Sequence, residues 1–257
     1  MNELSFETEF EKILSQLEIR KNDKILVNSN ILNIISKFKN KNLPKIIINC
    51  LKNKISSKGT LLFPAFNWNF CKGKTYDYKK TKSNTGALSN ISLTMKDFKR
   101  SINPIYSFNV YGKDKKKIIQ MKHESCFGFD SPFGYLIKNK GKNLFIDLDY
   151  KDALTFVHVA EEKVGVNYRY IKKFEGHYID ENKKKLIKSC EMYVRKTNLV
   201  SKTIINKKFD KILKSKNALK ETSFKKIKFS IVDINTAYLL MKNDIKNQSG
   251  LIQGKRL

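Results

Sequence analysis

The sequence predicts an α/β fold. We expect a single domain over residues 1–257, with helices packed around a mixed, mainly parallel sheet and an added antiparallel hairpin. Three observations carry this prediction. Short apolar runs typical of buried strands alternate with segments of helical periodicity. Capping residues or a proline mark several helix starts. A polar turn later in the chain separates two long stretches that have strand character.

The first part of the chain supplies the strand and helix alternation. Residues 6–17 place their apolar side chains on one helical stripe, which predicts an opening helix. A buried strand at residues 25–27 precedes a helix at residues 31–38. Pro44 is typical of a first helical turn, and the helix that it opens is followed by a buried strand at residues 60–63. This order favours parallel pairing of the early strands.

Residues 64–84 have no regular periodicity, and a loop of this length inside a compact domain usually has a function. Beyond it, strands are predicted at residues 106–111 and 143–149, and a helix begins at Ser131-Pro132. The remaining predicted elements are a helix from Asp152 through Glu161, a hairpin of residues 168–178 and 184–194 around the turn at residues 180–182, and a last helix over residues 237–245.

Charge is the most unusual feature of the composition. The chain has 52 Lys and Arg against 24 Asp and Glu, a formal net charge of +28. The lysines are spread along the whole sequence, and neither zinc-finger spacing nor an aromatic RNA-binding signature accompanies them. A basic nucleic-acid-binding protein is therefore kept only as a rival. A basic surface also suits a small polyanionic ligand, which it would steer into a cleft.

Compartment and metal content are predicted from what the sequence does not contain. Apolar runs are far shorter than the roughly 18 to 20 residues of a membrane span. The N-terminus is acidic and helix-patterned, unlike a secretory signal, so we expect a cytoplasmic protein. Cys50, Cys71, Cys126 and Cys190 are scattered without metal-ligand spacing, which favours reduced thiols and predicts no metal.

Three histidines limit the search for a catalytic base. His158 and Glu161 are three residues apart in a predicted helix, so both lie on one face. A carboxylate in that position can fix the imidazole tautomer and leave the second ring nitrogen free to abstract a proton. An ordinary helical His-Glu hydrogen bond is the alternative. His123 and His177 lie in polar surroundings and are interpreted as surface residues.

Motifs of several enzyme classes are missing. The sequence contains no G-x-S-x-G elbow, no P-loop and no G-x-G-x-x-G. Readings as a hydrolase, a kinase or a dehydrogenase therefore lose their usual basis.

An ordered series of short blocks between about residues 24 and 178 is more informative. Each block alone is unspecific, but together and in this order they resemble the aminoglycoside 3-N-acetyltransferase family. The blocks are Gly59-Thr-Leu-Leu-Phe-Pro64, Thr85-Gly-Ala-Leu88, Arg100-Ser-x-Asn103-Pro-x-x-Ser107, Phe127-Gly-x-Asp130-Ser-Pro132, Thr155-x-x-His158-x-x-Glu161 and Tyr168-Arg-Tyr170 with Phe174-x-Gly176.

This resemblance implies transfer of an acyl group from acetyl-CoA, as cosubstrate, to an amine of a sugar. It makes His158 the general base and Glu161 its orienting partner. A sugar ammonium must lose a proton before it can attack a thioester, which is chemistry that a base of this kind performs. The resemblance also implies contacts to the cofactor, assigned to Ser29, Asn30, Arg100, Ser101 and Ser107.

The acceptor is expected to be a small-molecule amino sugar linked to a nucleotide, used in surface polysaccharide or glycan biosynthesis, because Asn103 and Tyr106 stand where drug-modifying members of the family tend to have histidines. Acetylation of an aminoglycoside is the alternative. A homodimer is left open. The residues expected to bind the acceptor are Phe66, Trp68, Tyr76, Asp77, Asn103, Asp130 and Thr155, together with lysines of the loop from Phe66 to Lys82 for a diphosphate.

Overall fold

The computed structural model describes residues 3–256, so the ends of the predicted domain, residues 1, 2 and 257, lie outside the described residues. The helices are α1 (Glu3–Gln16), α2 (Leu32–Phe38), α3 (Leu43–Ile55), α4 (Ala87–Ser92), α5 (Lys115–Ile119), α6 (Pro132–Lys138), α7 (Tyr150–Ala153), α8 (Val157–Val164), α9 (Lys208–Ser215) and α10 (Ile234–Asn247). The strands are β1 (Lys24–Ser29), β2 (Thr60–Pro64), β3 (Tyr76–Asp77), β4 (Lys99–Arg100), β5 (Phe108–Gly112), β6 (Lys142–Ile146), β7 (Arg169–Ile179), β8 (Lys185–Arg195), β9 (Val200–Ile205), β10 (Leu219–Phe224), β11 (Ile227–Asp233) and β12 (Ile252–Arg256).

A mixed sheet of seven strands forms the centre, in the order β10-β11-β6-β1-β2-β5-β4. The α/β class and the mixed sheet are therefore confirmed. The parallel part is narrower than expected, because only β1 with β2 and β1 with β6 pair in parallel. The other neighbouring pairs are antiparallel. The description of the sheet as mainly parallel holds for its three central strands alone, since the strands added on both sides reverse direction at each step.

Alternation along the central strands divides the core into two layers. Leu26 of β1 belongs to one hydrophobic cluster, whereas its neighbours Ile25 and Val27 belong to the other. Side chains of successive strand residues point to opposite faces of a sheet, so both faces of β1 are buried. Helices α1 and α3 cover the face of Ile25 and Val27, and α6, α8, α9 and α10 contribute to the opposite layer.

Two smaller sheets flank the second layer. The predicted hairpin is confirmed: β7 and β8 pair antiparallel over eleven residues each, and β3 adds to β7 in parallel. At the hairpin turn, the carboxylate of Asp180 accepts hydrogen bonds from the backbone N–H groups of Asn182 and Lys184, both at 2.8 Å. Strand β9 pairs with β12 near the end of the chain, and neither strand was predicted.

The predicted helix from Asp152 through Glu161 is interrupted. Helix α7 ends at Ala153 and α8 begins at Val157. The carboxylate of Asp149 accepts a hydrogen bond from the N–H of Lys151 and caps α7 at its start. Because of the break, His158 lies in the first turn of α8. Among residues 3–256, no helix has both the length and the apolar character needed to cross a membrane.

Candidate active site

A histidine and a glutamate on successive turns of α8 form the centre of the site. The Nδ1 atom of His158 lies 2.6 Å from Oε2 of Glu161. A proton on Nδ1 is donated to the carboxylate, and this tautomer leaves the lone pair on Nε2. About a fifth of the His158 side chain is exposed (21%), so the ring is accessible from the cavity beside it. The contact predicted between these two residues is confirmed.

Glu161 is fully buried and is held by three residues from two other segments of the chain. Its Oε1 accepts hydrogen bonds from the hydroxyl groups of Thr203 at 2.7 Å and Tyr168 at 2.9 Å. The Nε atom of Arg169 lies 2.7 Å from Oε2, as an ion pair whose N–H is not aligned for a hydrogen bond. Each carboxylate oxygen thus has at least two polar neighbours, which offset the cost of burying the charge.

The electrostatics favour an ionised Glu161 beside a neutral His158. Burial lowers the pKa of His158, and the positive charges of Arg169 and Arg195 act in the same direction, so together they outweigh the opposite effect of Glu161. For Glu161, burial raises the pKa of the carboxyl, but His158, Arg169 and Thr203 outweigh burial and leave it below its usual value. A neutral imidazole that is oriented by a carboxylate can accept a proton at neutral pH.

A cavity of about 530 Å³ opens beside His158. The ring of Phe127 contacts the imidazole edge-to-face, with 5.0 Å between the ring centroids. The wall combines aromatic, hydroxyl and cationic side chains, which suits a ligand with apolar and anionic parts. Residues that line it include Trp68, Tyr106, Thr155, Arg169, Arg195, Lys202 and Thr203.

Of the aromatic residues predicted to bind the acceptor, one is in the cavity wall. Trp68 lines the cavity and is 39% exposed. Thr155 also lines the cavity and is partly exposed. Phe66 is buried in the core, with its ring centroid 4.5 Å from that of Tyr106. Tyr76 is 1% exposed and stacks on Tyr178. The expectation that Phe66 and Tyr76 stack on a ligand is wrong, because both rings are already enclosed by the core.

Three polar residues predicted to bind the acceptor lie outside the cavity wall. The carboxylate of Asp77 accepts hydrogen bonds from two backbone N–H groups of the turn that follows it. Asn103 is buried and its side-chain oxygen accepts from the N–H groups of Ile105 and Tyr106. Asp130 is exposed at the surface. Asp77 and Asn103 therefore shape local turns, and their contact with a ligand stays a prediction.

Arg100, Ser101 and Ser107 form a buried support below the long loop. The guanidinium of Arg100 donates to the hydroxyl of Ser107 at 3.0 Å and to the carbonyl of Ala65 at 2.8 Å, and it lies over the ring of Tyr76. The hydroxyl of Ser101 accepts from the N–H of Phe108. Because these side chains are buried and engaged with the protein, their assignment as cofactor contacts is wrong.

Ser29 and Asn30 lie at the carboxyl end of β1, near the break between α7 and α8. Asn28, one residue earlier, donates a hydrogen bond to the carbonyl of Ala153 at 3.4 Å. Ser29 is half-buried and Asn30 is exposed, so both are available to a ligand. Their contact with the cofactor stays a prediction.

Sequence reasoning missed the residues that hold Glu161. Tyr168 and Arg169 lie in a recognised block but had no role assigned. Thr203 is 42 residues beyond Glu161 in a strand that was not predicted. A hydroxyl on a short polar strand gives no local signal, so only the fold brings it to the carboxylate. His123 bonds to the Ser125 carbonyl and His177 is exposed, and neither lines the cavity.

A helix-borne His-Glu pair that opens onto a cavity in a layered α/β fold has the geometry of a general base with its orienting carboxylate. Residues 26–245 match the family described as aminoglycoside 3-N-acetyltransferase, and the chain belongs to this family. The family expected from the ordered sequence blocks is thereby confirmed.

Similarity to known proteins supports the same fold. The chain is 32% identical over 102 residues to the SPbeta prophage-derived aminoglycoside N(3')-acetyltransferase-like protein YokD of Bacillus subtilis (strain 168), and the match covers 39% of this chain but only about a third (34%) of that protein. The crystal structure of YokD matches with a TM-score of 0.73 at 20% identity, over 94% of this chain and 98% of YokD. Structures of AAC-IIIb with CoASH and of sisomicin-bound AAC-VIa each give a TM-score of 0.78 over 94% of this chain, at 17% and 13% identity, covering 96% and 98% of those chains.

Alanine variants of Trp68 and Phe66 should differ in their effects, because Trp68 lies in the cavity wall and Phe66 lies in the core. We expect Trp68→Ala to raise KM for the acceptor or the donor by about 2- to 10-fold, because it removes an exposed aromatic contact. Phe66→Ala should instead lower the free energy of unfolding by about 3–5 kcal/mol, because it leaves a cavity in the core. Steady-state kinetics and urea denaturation of both variants measure these effects. Unchanged KM values in Trp68→Ala would remove this residue from the binding site.

Proposed function

We propose that this protein is an acetyl-CoA-dependent N-acetyltransferase that acts on an amine of an amino sugar. The observation that carries the proposal is the position of His158, oriented by Glu161 at 2.6 Å and exposed to the cavity, in a chain of this family. Acetyl-CoA as the donor is supported by the AAC-IIIb structure, which shares the fold and is described with CoASH.

The residues present fit such a donor. Arg195 and Lys202 line the cavity, and within the described residues neither forms an ion pair with an acidic side chain. Exposed guanidinium and ammonium groups can bind the phosphates of coenzyme A. Trp68 and Tyr106 provide aromatic surface in the wall of the same cavity.

In each reaction cycle, one proton moves from the acceptor amine to His158 and then from His158 to the leaving thiolate. The thioester supplies the acetyl group, and the amine nitrogen forms a bond to its carbonyl carbon while the carbon–sulfur bond breaks. Starting from the uncharged amine, Nε2 of His158 accepts the proton that the nitrogen loses as it is acylated, and Glu161 stabilises the resulting imidazolium. His158 then returns the proton to the departing thiolate, so the enzyme finishes each cycle in its starting protonation state.

An aminoglycoside is the acceptor that the comparisons favour. The family carries this name, and AAC-VIa, which has the same fold, is described with sisomicin bound. YokD is described as an aminoglycoside acetyltransferase-like protein. The identities to the solved structures are low, so the substrate of those enzymes remains a proposal for this chain.

A nucleotide-linked amino sugar is the second candidate, and the charge of the cavity favours it. Lys151, Arg195 and Lys202 line the wall, and Asp152 is the one acidic residue among the described residues that line it. An aminoglycoside carries several positive charges, which this wall would repel, whereas a diphosphate would be attracted. In the loop of residues 66–82 predicted to bind the nucleotide, Trp68 lines the cavity, and we propose that it would stack on the base.

A thiol-release assay decides between the acceptors. Purified protein is mixed with acetyl-CoA and with two panels, one of aminoglycosides that includes sisomicin and kanamycin-type drugs, and one of nucleotide-linked amino sugars. Activity with the first panel supports the aminoglycoside reading. Activity with the second, with a KM that rises with ionic strength, supports the nucleotide-linked sugar. No thiol release with either panel, together with tight salt-dependent binding to nucleic acid, would overturn the proposal and favour the rival binding protein.

A further inference from the structure

Glu161 is a fully buried carboxylate that has two basic neighbours instead of one. His158 contacts its Oε2 from the cavity side, and Arg169 contacts the same oxygen from within the protein. The hydrogen bond between His158 and Glu161 is enough to fix the tautomer of the imidazole. Arg169 is not needed for this purpose, so its contact with Glu161 must have another role.

Arg169 is fixed in place by its surroundings. Its guanidinium donates to the carbonyl of Tyr193 at 3.1 Å and to the hydroxyl of Thr203 at 2.9 Å, and its Nε lies 2.7 Å from Glu161. The side chain is 6% exposed. Within residues 3–256, Glu161 is the one carboxylate that forms an ion pair with it. Thr203 also donates to Glu161, so one hydroxyl joins both members of the pair.

We propose that Arg169 is a positioning residue that supplies the counter-charge of Glu161, so that the His158 imidazole stays neutral and available to accept a proton. A buried carboxylate without a counter-charge is costly. If Arg169 were neutral, protonation of His158 would provide the missing positive charge. The imidazolium could not act as a base. With Arg169 in place, Glu161 is already neutralised, and a proton on His158 would add an unpaired charge.

Other charged groups around His158 do not replace the counter-charge of Glu161. Arg195 of β8 lowers the pKa of His158 in the same direction as Arg169 but to a smaller extent. Arg195 and Lys202 of β9 line the cavity and are exposed, where solvent screens their charges. Lys151 and Asp152 of α7 also line it, but Lys151 forms ion pairs with Asp149 and Asp210 at 3.2 Å. The remaining titratable neighbours, Tyr106 and Tyr193 in the wall and Tyr168 on Glu161, have pKa values raised by burial and stay neutral near pH 7.

NMR titration of the imidazole tests the proposal without any assay of acetyl transfer. The chain has three histidines, and the His158 signal is identified by its loss in His158→Ala. In the wild type we expect a titration midpoint below the usual 6.5, since the pKa of His158 is lowered. Arg169→Gln keeps a polar side chain but removes the charge, so its midpoint should rise by about one pH unit or more. The matched control Arg169→Lys keeps a positive charge and should stay near the wild type. An unchanged midpoint in folded Arg169→Gln would overturn the proposal.

A second pair of variants covers the case in which Arg169→Gln does not fold. Glu161→Gln and the double variant Glu161→Gln/Arg169→Gln can be compared with each other. The double variant lacks the charges of both Glu161 and Arg169, so it leaves no member of this pair buried without its partner. The midpoint should be higher in the double variant by about one pH unit, because the repulsion between Arg169 and the imidazolium is lost. Equal midpoints would overturn the proposal.

The kinetic consequence rests on the proposed function. In Arg169→Gln, the acidic limb of kcat/KM should move to higher pH, and activity should recover as the pH rises. A purely structural arginine would lower activity equally at every pH, which would contradict the proposal. If the wild type shows no acetyl transfer while the NMR midpoints shift as expected, the proposed function fails and the inference about Arg169 stands.

Discussion

Replacing His158 with alanine should lower kcat by about 10²- to 10⁴-fold, the usual effect of removing a general base. The side chain is partly exposed to the cavity, and its one polar contact in the described residues is with Glu161. Glu161 keeps Tyr168, Arg169 and Thr203 as partners in this variant. The fold should therefore be retained, with a thermal unfolding midpoint close to that of the wild type.

Thiol release at saturating acetyl-CoA, together with thermal unfolding, measures both parts of this expectation. His177→Ala is the matched control, because His177 is exposed on β7 and lies outside the cavity wall. This control should keep full turnover. Near-normal turnover in His158→Ala with a clearly lowered unfolding midpoint would mean that the pair is an ordinary helical hydrogen bond with a structural role.

The elements that sequence predicts well are those whose cause is local. Ile25-Leu26-Val27 is apolar at every position, which only a strand covered on both faces accommodates. Ser131 followed by Pro132 marks the start of α6, and its hydroxyl accepts from the N–H of Gly134 as expected. The spacing of His158 and Glu161 predicts their contact because three residues equal nearly one helical turn.

The wrong predictions have a different origin, since they concern whether a side chain is buried or exposed in the folded protein. Tyr76 and Phe66 were expected to face a ligand because aromatic residues in a long loop often do. Both instead fill the core, and Arg100 lies over the Tyr76 ring. The composition of a loop does not reveal which of its rings points inward. Arg169 and Thr203 belong to strands of different sheets, and their meeting at Glu161 depends on how those sheets are placed.

Replacing Glu161 with alanine should strongly lower the stability of the fold. The substitution leaves the guanidinium of Arg169 buried without a counter-charge and removes the acceptor of the Tyr168 and Thr203 hydroxyl groups. Removal of one partner from a buried ion pair costs about 3–5 kcal/mol, so the free energy of unfolding should fall by this amount. Turnover should also fall, because His158 loses its orienting partner.

Glu161→Gln keeps the size of the side chain and should be milder than Glu161→Ala in stability and milder than His158→Ala in turnover. Urea denaturation of the three proteins at several pH values tests the charge argument. Because the pKa of Glu161 is lowered in the folded state, its ionisation contributes stability above the usual value of 4.5 and loses this contribution as the pH falls through the lowered value. The difference between wild type and Glu161→Ala should therefore shrink towards acid pH. Glu124→Ala at an exposed position should change stability by less than about 0.5 kcal/mol. A loss of stability in Glu161→Ala no larger than in this control would mean that the buried pair with Arg169 contributes little to the fold.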